Sequence, residues 1–462
     1  MKNDRRDFLK LAGAAGLGLA AARGADAVRS TAGAGFNMWG YAAPPLAKVR
    51  IGQLGIGGRG GAALQRLPRI EGVEIRALCD LVPERAAAGA ERVRKLNHPV
   101  TPELYSGSED AWRKVCERDD IDLVYITSPW HLHAPMALHA MNHGKHAVME
   151  VPGVLTVDEC WEVVRTSERT KRHCMLLSNT CYDFFELLTL SLARQGFFGE
   201  FIHAEGAYLH TFSFDPSRQQ KTWRQLQNLR RNGNLYPTHG MGPVCQALDI
   251  NCGDRLDFLV SVSSDDFTMR RNYEQAAARD AFWRPFAAEA ARGHRGNMNV
   301  TTIRTVRGRT ILQQHDITSE QPYSRLHKLS GTKAVAQKYP EPGRIAVEHK
   351  RWLDAAEMKR LKEQHTPEIV RRIGAMAKQV GGHGGMDFMM DWRLVDCLRN
   401  GLPLDMNVYD LASWSVIAPL SEWSVANRSR SADIPDFTRG AWQTNARGMD
   451  IQLQRGGTTR AI

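Results

Sequence analysis

Three glycines in Gly55-Ile56-Gly57-Gly58-Arg59-Gly60 match the spacing G-x-G-x-x-G, and Asp80 follows twenty residues beyond the last of them. Each glycine in such a spacing has a mechanical job. The first makes a tight turn, the second lets backbone approach a pyrophosphate, and the third lets a helix pack closely on a strand with its N-terminus facing the anion. An acid at the position of Asp80 accepts hydrogen bonds from a free ribose 2′-hydroxyl and repels a 2′-phosphate, so the expected ligand is NAD rather than NADP. A glycine fingerprint alone is weak. Here a strand-like run, the glycines, a helix-compatible run, a second strand-like run and the acid arrive in order.

Histidine and carboxylate supply the other chemistry. Among sixteen histidines, His131-Leu132-His133 follows a strand-like run and is expected to face cofactor or substrate. No carboxylate or third histidine lies nearby at the helical spacing of a zinc site, and no metal is expected. His239, in Tyr236-Pro237-Thr238-His239, is expected in a glycine-rich loop that lets backbone approach a ligand. It reads equally as a loop histidine bonded to its own turn, and His383, between two glycine pairs, reads in the same way. Ordinary glycosidases use a facing pair of carboxyl groups. Glu150, Glu205 and Asp387 are the candidates, but no spacing sets two of them across a bond, and Glu205 and Asp387 read as solvated or ion-paired acids. Tyr208, Arg224 and Tyr323 have polar tips suited to sugar hydroxyls, and taken singly they read as packing or surface.

The elements that must position these groups begin with an unusual N-terminus. Arg5-Arg6 precedes Asp7-Phe8-Leu9-Lys10 and a modestly apolar run over 11–22, too short to span a bilayer. This is the layout of a twin-arginine signal peptide over 1–27, with the export machinery as partner and the periplasm or cell exterior as destination. Residues 28–47 read as a linker. A chain of 462 residues exceeds one average core, so two domains are expected. The formal net charge of +11 comes from dispersed basic residues with no Lys/Arg run, so no nucleic-acid partner is expected. Eight cysteines without a C-x-x-C spacing read as buried thiols rather than a disulfide framework.

Strand-like runs at 49–54, 73–78, 124–127, 146–151 and 174–179 alternate with helical spacing at 83–96, 135–143 and 156–170. The alternation predicts right-handed βαβ units on a parallel sheet, an α/β Rossmann-type domain over 48–181. Ligands of such sheets bind beyond the strands' carboxyl ends, which marks Arg59, Asp80, Trp130, His131, His133, Glu150, Val151 and Asn179 by position alone. From 182 to 462 the rhythm changes. A helix over 184–195 is followed by strands near 199–211, 256–262, 298–306, 310–314 and 328–335, an α+β domain with a mostly antiparallel open sheet. Loops are expected at 232–243 and 381–388, and helices return at 391–399 and 409–425, partly packing back on the first domain.

This organisation resembles the Gfo/Idh/MocA oxidoreductases, which carry Glu-Lys-Pro after the fifth strand, the lysine helping to take a proton off the substrate hydroxyl. Here that place reads Glu150-Val151-Pro152, which removes the standard base. With the twin-arginine leader, the segments SPWHLHAP, MEVPG, TSERTKRHCMLL, NGNLYPTHGMGP, GGHGGMDFMMDWRLVDCLRNGLPLD and SEWSVANRS resemble glycoside hydrolase family 109 from the signal to about Arg430. The resemblance implies an α-N-acetylgalactosaminidase whose NAD is tightly bound and regenerated at each turnover. Cofactor contacts would be Gly55, Gly57, Arg59, Gly60, Asp80, Trp130, His131, Leu132, His133, Glu150, Val151 and Asn179. Substrate contacts would be Tyr208, Arg224, Tyr236, Pro237, Thr238, His239 and Tyr323, with His239 as the proton-moving group and Tyr208 able to share the task. Oxidation at C3 of the sugar acidifies C2; loss of the C2 proton expels the C1 substituent, water adds back, and the ketone is reduced, so no carboxylate pair is needed. By the same analogy the chain associates as a homo-oligomer through the open face of the second sheet. The alternative is a periplasmic NAD(P)-dependent sugar oxidoreductase that ends with a ketosugar.

Overall fold

The computed structural model describes residues 35–211, 222–349 and 351–462. The signal read at 1–27 lies outside the described residues. By contacts the chain separates into Met1–Phe36 and Asn37–Ile462, and every element below belongs to the second unit.

Six parallel strands build the first sheet in the order β3-β2-β1-β4-β5-β6. They are β1 (Val49–Leu54), β2 (Val73–Cys79), β3 (Glu103–Tyr105), β4 (Leu123–Ile126), β5 (His146–Glu150) and β6 (Cys174–Leu177). All but the short edge strand β3 are almost wholly buried, as a parallel sheet covered on both faces requires. Helices α1 (Gly58–Arg66), α2 (Pro83–Lys95), α3 (Ala111–Cys116), α4 (His133–Asn142) and α5 (Val157–Thr170) alternate with them. Local chemistry sets their starts: Pro83 opens α2, and Thr156 and Glu159 form a reciprocal capping box on α5. The strand order turns back between β1 and β4, which puts a ligand crevice at their carboxyl ends.

The second sheet has eight strands in the order β13-β12-β11-β7-β10-β9-β8-β14. Between β6 and its last strand the chain runs α6 (Phe184–Arg194), β7 (Phe201–Leu209), α7 (Thr222–Arg230), α8 (Thr238–Ala247), β8 (Leu256–Ser263), α9 (Met269–Arg279), α10 (Arg284–Ala290), β9 (Asn299–Thr305), β10 (Thr310–Asp316), β11 (Lys328–Gly331), β12 (Ala334–Gln337) and β13 (Arg344–Val347). Then come α11 (Ala355–His365), α12 (Glu368–Val380), α13 (Met386–Asn400), α14 (Val408–Ser415), α15 (Ile417–Ala426) and β14 (Ala432–Asp433). Neighbouring strands are antiparallel except β7 and β10, which run parallel from His203 opposite Thr310 to Leu209 opposite Asp316. The architecture is therefore the expected Rossmann domain followed by a mostly antiparallel open sheet.

Several local expectations are corrected. Residues 37–47 are no free linker: Met38 and Ala43 are buried, the Met38 amide donates to the Tyr409 hydroxyl at 3.1 Å, and the Leu46 amide donates to Leu398 O at 3.0 Å. The strand expected at 328–335 is two strands, β11 and β12, that fold back on each other. The helix expected at 409–425 breaks at Val416 into α14 and α15. Helix α13 begins at Met386 rather than 391, inside the expected loop; Asp387, which read as a solvated or ion-paired acid, is buried and ion-paired with Arg59, and Asp391 is buried and paired with Arg66.

The loop expected at 232–243 is the largest correction, since α8 starts at Thr238 despite Gly240, Gly242 and an internal Pro243. The glycines serve close packing. A Cβ on Gly240 would lie 2.6 Å from Ala207 N on β7, and one on Gly242 would lie 2.7 Å from Cys181 Sγ. Pro243 has no N–H to give the carbonyl four residues back, that of His239. The Thr180 hydroxyl supplies the missing donor, at 3.1 Å from His239 O. Among the described residues no helix is long and apolar enough to cross a membrane. All eight cysteines are free thiols, seven of them buried.

Candidate active site

The glycine turn divides its labour. Gly55 sits at φ +87°, and a Cβ there would meet the Thr127 carbonyl carbon at 2.8 Å; a Cβ on Gly60 would overlap the Gly55 carbonyl oxygen outright. These two glycines serve backbone packing. A Cβ on Gly57 would meet nothing within 4 Å, because that face opens onto the cleft. Gln53 Nε2 donates to Gly60 O at 2.8 Å, and the Gly61 amide donates to Gly57 O at 2.7 Å as α1 begins. Asp80, at the end of β2, accepts from the Ile56 amide at 2.7 Å and the Val82 amide at 2.9 Å. Its carboxylate thus fastens the glycine turn to the neighbouring strand, with Arg85 Nη1 3.8 Å from Oδ1, and the residue lines the cleft with acceptor capacity left on its oxygens.

The cleft encloses about 1450 Å³ between the ends of the parallel sheet and the second domain. It is lined by Gly55, Gly57, Arg59, Asp80, Trp130, His131, Leu132, His133, Glu150, Val151, Asn179, Tyr208, Arg224, Tyr236, His239 and Tyr323. Gly60, Pro237 and Thr238 do not line it. Gly60 packs the turn, Pro237 is the N-cap of α8, and Thr238 is fully buried with its carbonyl facing the Ser178 hydroxyl at 3.4 Å.

The His131-Leu132-His133 pair does not act as a pair. His131 is exposed at the cleft rim, whereas His133 is fully buried, with Nδ1 at 2.9 Å from Gly153 O and Nε2 at 3.0 Å from Ser128 O. Its polar atoms tie together the turns after β4 and β5, and burial pushes its imidazole below the usual range. The one cluster of three groups with metal-binding geometry among the described residues, Glu117, His139 and His143, does not line the cleft.

Arg59, leaving the glycine turn, bridges two acids: Nε donates to Glu150 Oε1 at 2.8 Å and Nη1 donates to Asp387 Oδ2 at 3.0 Å. Asp387 also accepts from Asn179 Nδ2 at 2.5 Å and lies 2.9 Å from His383 Nδ1. Burial alone would raise this carboxyl; the His383 contact and the charges of Arg59 and Arg66 outweigh it and hold it far below the usual carboxylate range. Asp387 and the cleft-lining His383 are site groups that the spacing did not bring together. The available signal was the Gly381-Gly382-His383-Gly384-Gly385 run, whose five residues all adopt positive φ, including +47° at the histidine. Val151 is buried where the related oxidoreductases carry lysine.

Opposite this network stands an aromatic wall. Tyr208 from β7, Tyr236 and His239 meet with ring centroids 4.4 Å apart for the tyrosines, 4.9 Å for Tyr236 and His239, and 5.4 Å for Tyr208 and His239. Arg224 from α7 donates to the Tyr208 hydroxyl at 3.2 Å, and its guanidinium carbon lies 4.6 Å over the Tyr236 ring and 5.4 Å over the Trp130 ring. Tyr323 stands at the outer edge, its ring 6.4 Å from that of Tyr208. His239 Nδ1 is sealed from solvent and has no hydrogen-bond partner. Burial, reinforced by the positive charges of Arg325 and Arg59, holds the imidazole well below its ordinary range and so neutral. Burial likewise raises the Tyr236 hydroxyl. A neutral imidazole that lines the cleft beside two phenols is equipped to move a proton.

These groups fit a dinucleotide. The open face of Gly57, the N-terminus of α1 and the Asp80 carboxylate meet the needs of pyrophosphate and ribose. Farther along the crevice, Asn179 Oδ1 is a buried acceptor without a partner.

Residues 49–178 match the family described as "Oxidoreductase family, NAD-binding Rossmann fold", and residues 182–444 match "Glycosyl hydrolase 109, C-terminal domain". A glycosyl hydrolase family 109 protein of Solibacter usitatus is 42% identical over 96% of this chain and 99% of its own length. One from Bacteroides fragilis is 46% identical over 87% of this chain and 88% of its own. Among solved structures, an NAD-binding oxidoreductase from Klebsiella pneumoniae superposes with a TM-score of 0.62 at 19% identity, covering 85% of this chain and 100% of that one. Scyllo-inositol dehydrogenase from Lactobacillus casei, bound to NAD(H) and scyllo-inositol, gives 0.58 at 12% identity over 84% of this chain and 99% of that one. At such identities the likeness is one of fold.

Proposed function

The chain belongs to glycosyl hydrolase family 109, with an NAD-binding Rossmann domain ahead of that family's C-terminal domain, and on that premise we propose that it removes terminal α-linked N-acetylgalactosamine by oxidation, elimination, water addition and reduction. The coarser function, a glycosidase of this family built on an oxidoreductase fold, follows from membership. The observation that carries the finer one is His239: its imidazole is neutral and lines the cleft beside the Tyr208 and Tyr236 rings.

When bound, NAD supplies a reversible electron store, accepting hydride from the sugar and returning it. The protein's own residues handle the protons. His239 takes and returns a proton at the sugar, and the Tyr208 hydroxyl, held by Arg224, stands beside it as a second donor. The buried acids of the cleft are committed elsewhere, Glu150 to Arg59 and Asp387 to Arg59, His383 and Asn179. Glu205 does not line the cleft and pairs with Lys328 at 2.7 Å. Neither Glu150, Asp387 nor Glu205 is therefore free to serve as the acid or base of a two-carboxylate displacement, while the elimination route needs no such pair.

Export by the twin-arginine pathway, which carries folded proteins, belongs to the same proposal and rests on Arg5-Arg6 and the apolar run after it. A cofactor held tightly and regenerated at each turnover suits a compartment without an NAD pool. Homo-oligomerisation through the second sheet is part of the reading too, supported by the exposure of Ile202 on β7 and Val262 on β8.

The test is to incubate purified protein with a chromogenic α-N-acetylgalactosaminide in deuterated water without added NAD. Chromophore release with deuterium at C2 of the sugar is expected. Release with C2 fully protiated would refute elimination, and NADH accumulating with a ketosugar would make the protein an oxidoreductase. His239→Ala should abolish release while the protein still purifies with its nicotinamide.

A further inference from the structure

A cleft of about 1450 Å³ is larger than one small-molecule site needs, such sites typically enclosing ~300–1,000 Å³. The cradle and the wall around His239 account for one part of it. Tyr339, whose ring lies 6.1 Å from that of Tyr323, carries the cleft lining on to a group of residues, its second lobe, that the proposed chemistry does not use. Phe184, Phe185 and Leu188, from the first turns of α6, and Val370 of α12 give it apolar and aromatic surface, and Tyr339, just past β12, adds a further ring.

The charges of this lobe fall into two classes. Arg325 and Lys338 are buried and spent: Asp183 Oδ2 lies 2.6 Å from Arg325 Nη2 and 2.6 Å from Lys338 Nζ, and Glu186 backs both at 2.8 Å and 3.0 Å. Lys362 of α11 and Lys378 of α12 are different. Both are exposed on the lobe, and among the described residues neither has a carboxylate within 4.0 Å. Lys378 Nζ stands 4.4 Å over the Phe184 ring, so a cation is poised directly above the aromatic surface. The exposed Glu341 is the only acid of the lobe outside the buried cluster.

We propose that this lobe is the leaving-group subsite and that it takes an acidic saccharide, the sugar rings lying against Phe184, Phe185 and Tyr339 and the acid group meeting Lys362 and Lys378. Aromatic faces suit the C–H faces of sugar rings, and two uncompensated ammonium groups favour an anion over a neutral sugar. The acid is a carboxylate or a sulfate ester, which share this chemistry. The inference rests on the glycosidase reading above, since only a group transfer has a leaving saccharide to hold.

The experiment compares kcat/KM on four substrates: a chromogenic α-N-acetylgalactosaminide, a neutral disaccharide with the same terminal sugar, and that disaccharide bearing either a carboxylate or a sulfate. Wild-type protein should prefer one or both acidic disaccharides, and the preference should shrink at high salt. The double variant K362A/K378A should lose about tenfold or more on the preferred substrate, as two ion pairs worth up to about fivefold each predict. Its loss on the chromogenic substrate and on the neutral disaccharide, neither of which offers an anion to the lysines, should be at most about twofold. Phe185→Ala should weaken both neutral and acidic disaccharides. Equal wild-type rates on neutral and acidic disaccharides, or a preference that survives in the double variant, would overturn the inference. Calorimetric binding of the same disaccharides keeps the two readings apart. If nothing is hydrolysed, the glycosidase reading has failed, while lysine-dependent binding of the acidic disaccharide would still locate an anionic saccharide in the lobe and its absence would remove the subsite.

Discussion

Alanine placed in turn at Gly57 and Gly60 separates two jobs that the same residue type performs within one turn: admitting a ligand and packing the turn. At Gly60 the new methyl would overlap Gly55 O and lie 2.6 Å from Thr127 Oγ1 and 2.9 Å from Gln53 Nε2. The first of these is backbone and cannot rotate away, so α1 must shift off β1. Overpacking of that kind costs about 1–3 kcal/mol and sometimes more, and a loss of about 3 kcal/mol is expected because the clash is with main chain. At Gly57 the backbone is extended, with φ −70°, and the methyl meets nothing. Protein stability should then change by less than about 1 kcal/mol, the gain from a stiffer unfolded chain being ~0.4–1 kcal/mol. The methyl nevertheless stands where a pyrophosphate must come close, and NAD affinity should fall by at least about tenfold, or ~1.4 kcal/mol. Urea unfolding of nicotinamide-stripped protein reads the first quantity. The shift of the midpoint on adding excess NAD reads the second, because a ligand that binds only the folded state stabilises it by mass action. A Gly57→Ala protein that purifies with full nicotinamide and responds to NAD like wild type would refute the assignment of that face to the ligand. A Gly60→Ala protein as stable as wild type would refute the packing argument.

Burial pushes the Asp410 carboxyl up to about 7, against hydrogen bonds from Asn407 and Asn251. An acid raised above its unfolded value binds its proton more tightly when folded, so its contribution falls as pH rises from about 4 to about 7, by up to roughly 4 kcal/mol. Asp410→Asn should therefore flatten the decline in urea midpoint between pH 5 and pH 8, and an unchanged slope would count against the burial argument. Asp387→Asn should cost about 3–5 kcal/mol at pH 7, since it strips a buried acid from Arg59 and Arg66. That carboxyl is depressed when folded, so the deficit should be complete at neutral pH and shrink only below about pH 4, where wild type starts to lose the same contribution; a deficit that grows on acidification would contradict the pairing. His133→Phe removes the one N–H that the neutral imidazole donates to Ser128 O or Gly153 O and should cost about 1–3 kcal/mol in denaturant titration. With all eight cysteines free, a reducing agent should leave the thermal midpoint where it is.

What was legible in the sequence was mostly local. Strand β1, the glycine turn, β2 and Asp80 announce themselves because strand, turn and acid are encoded within about thirty contiguous positions. Helix α8 was hidden because Gly240, Gly242 and Pro243 signal a loop by propensity, while their reason is the approach of β7 and of Cys181, both remote in sequence. The burial of Asp387 and Asp391 was hidden because their partners are remote. Asp387 read as a solvated or ion-paired acid in a loop, and only Arg59 and Arg66, brought in by the first domain, turn the two acids into buried ion pairs. Helices α7, α9 and α11 are rich in charged and polar residues and bury only one to three side chains each, so they were not read from the sequence. Gly331 read as part of one long strand because the reversal that follows it lacks the usual turn dipeptides.

The bond from Thr180 to the carbonyl of His239 makes the footing of the ring depend on a residue far away in sequence. Because Pro243 cannot supply the usual helical donor, that hydroxyl is what satisfies the carbonyl. Removing it, as in Thr180→Val, would loosen the main chain beneath the imidazole without touching the ring itself, so a change outside the cleft bears directly on the residue to which the proton transfer is assigned.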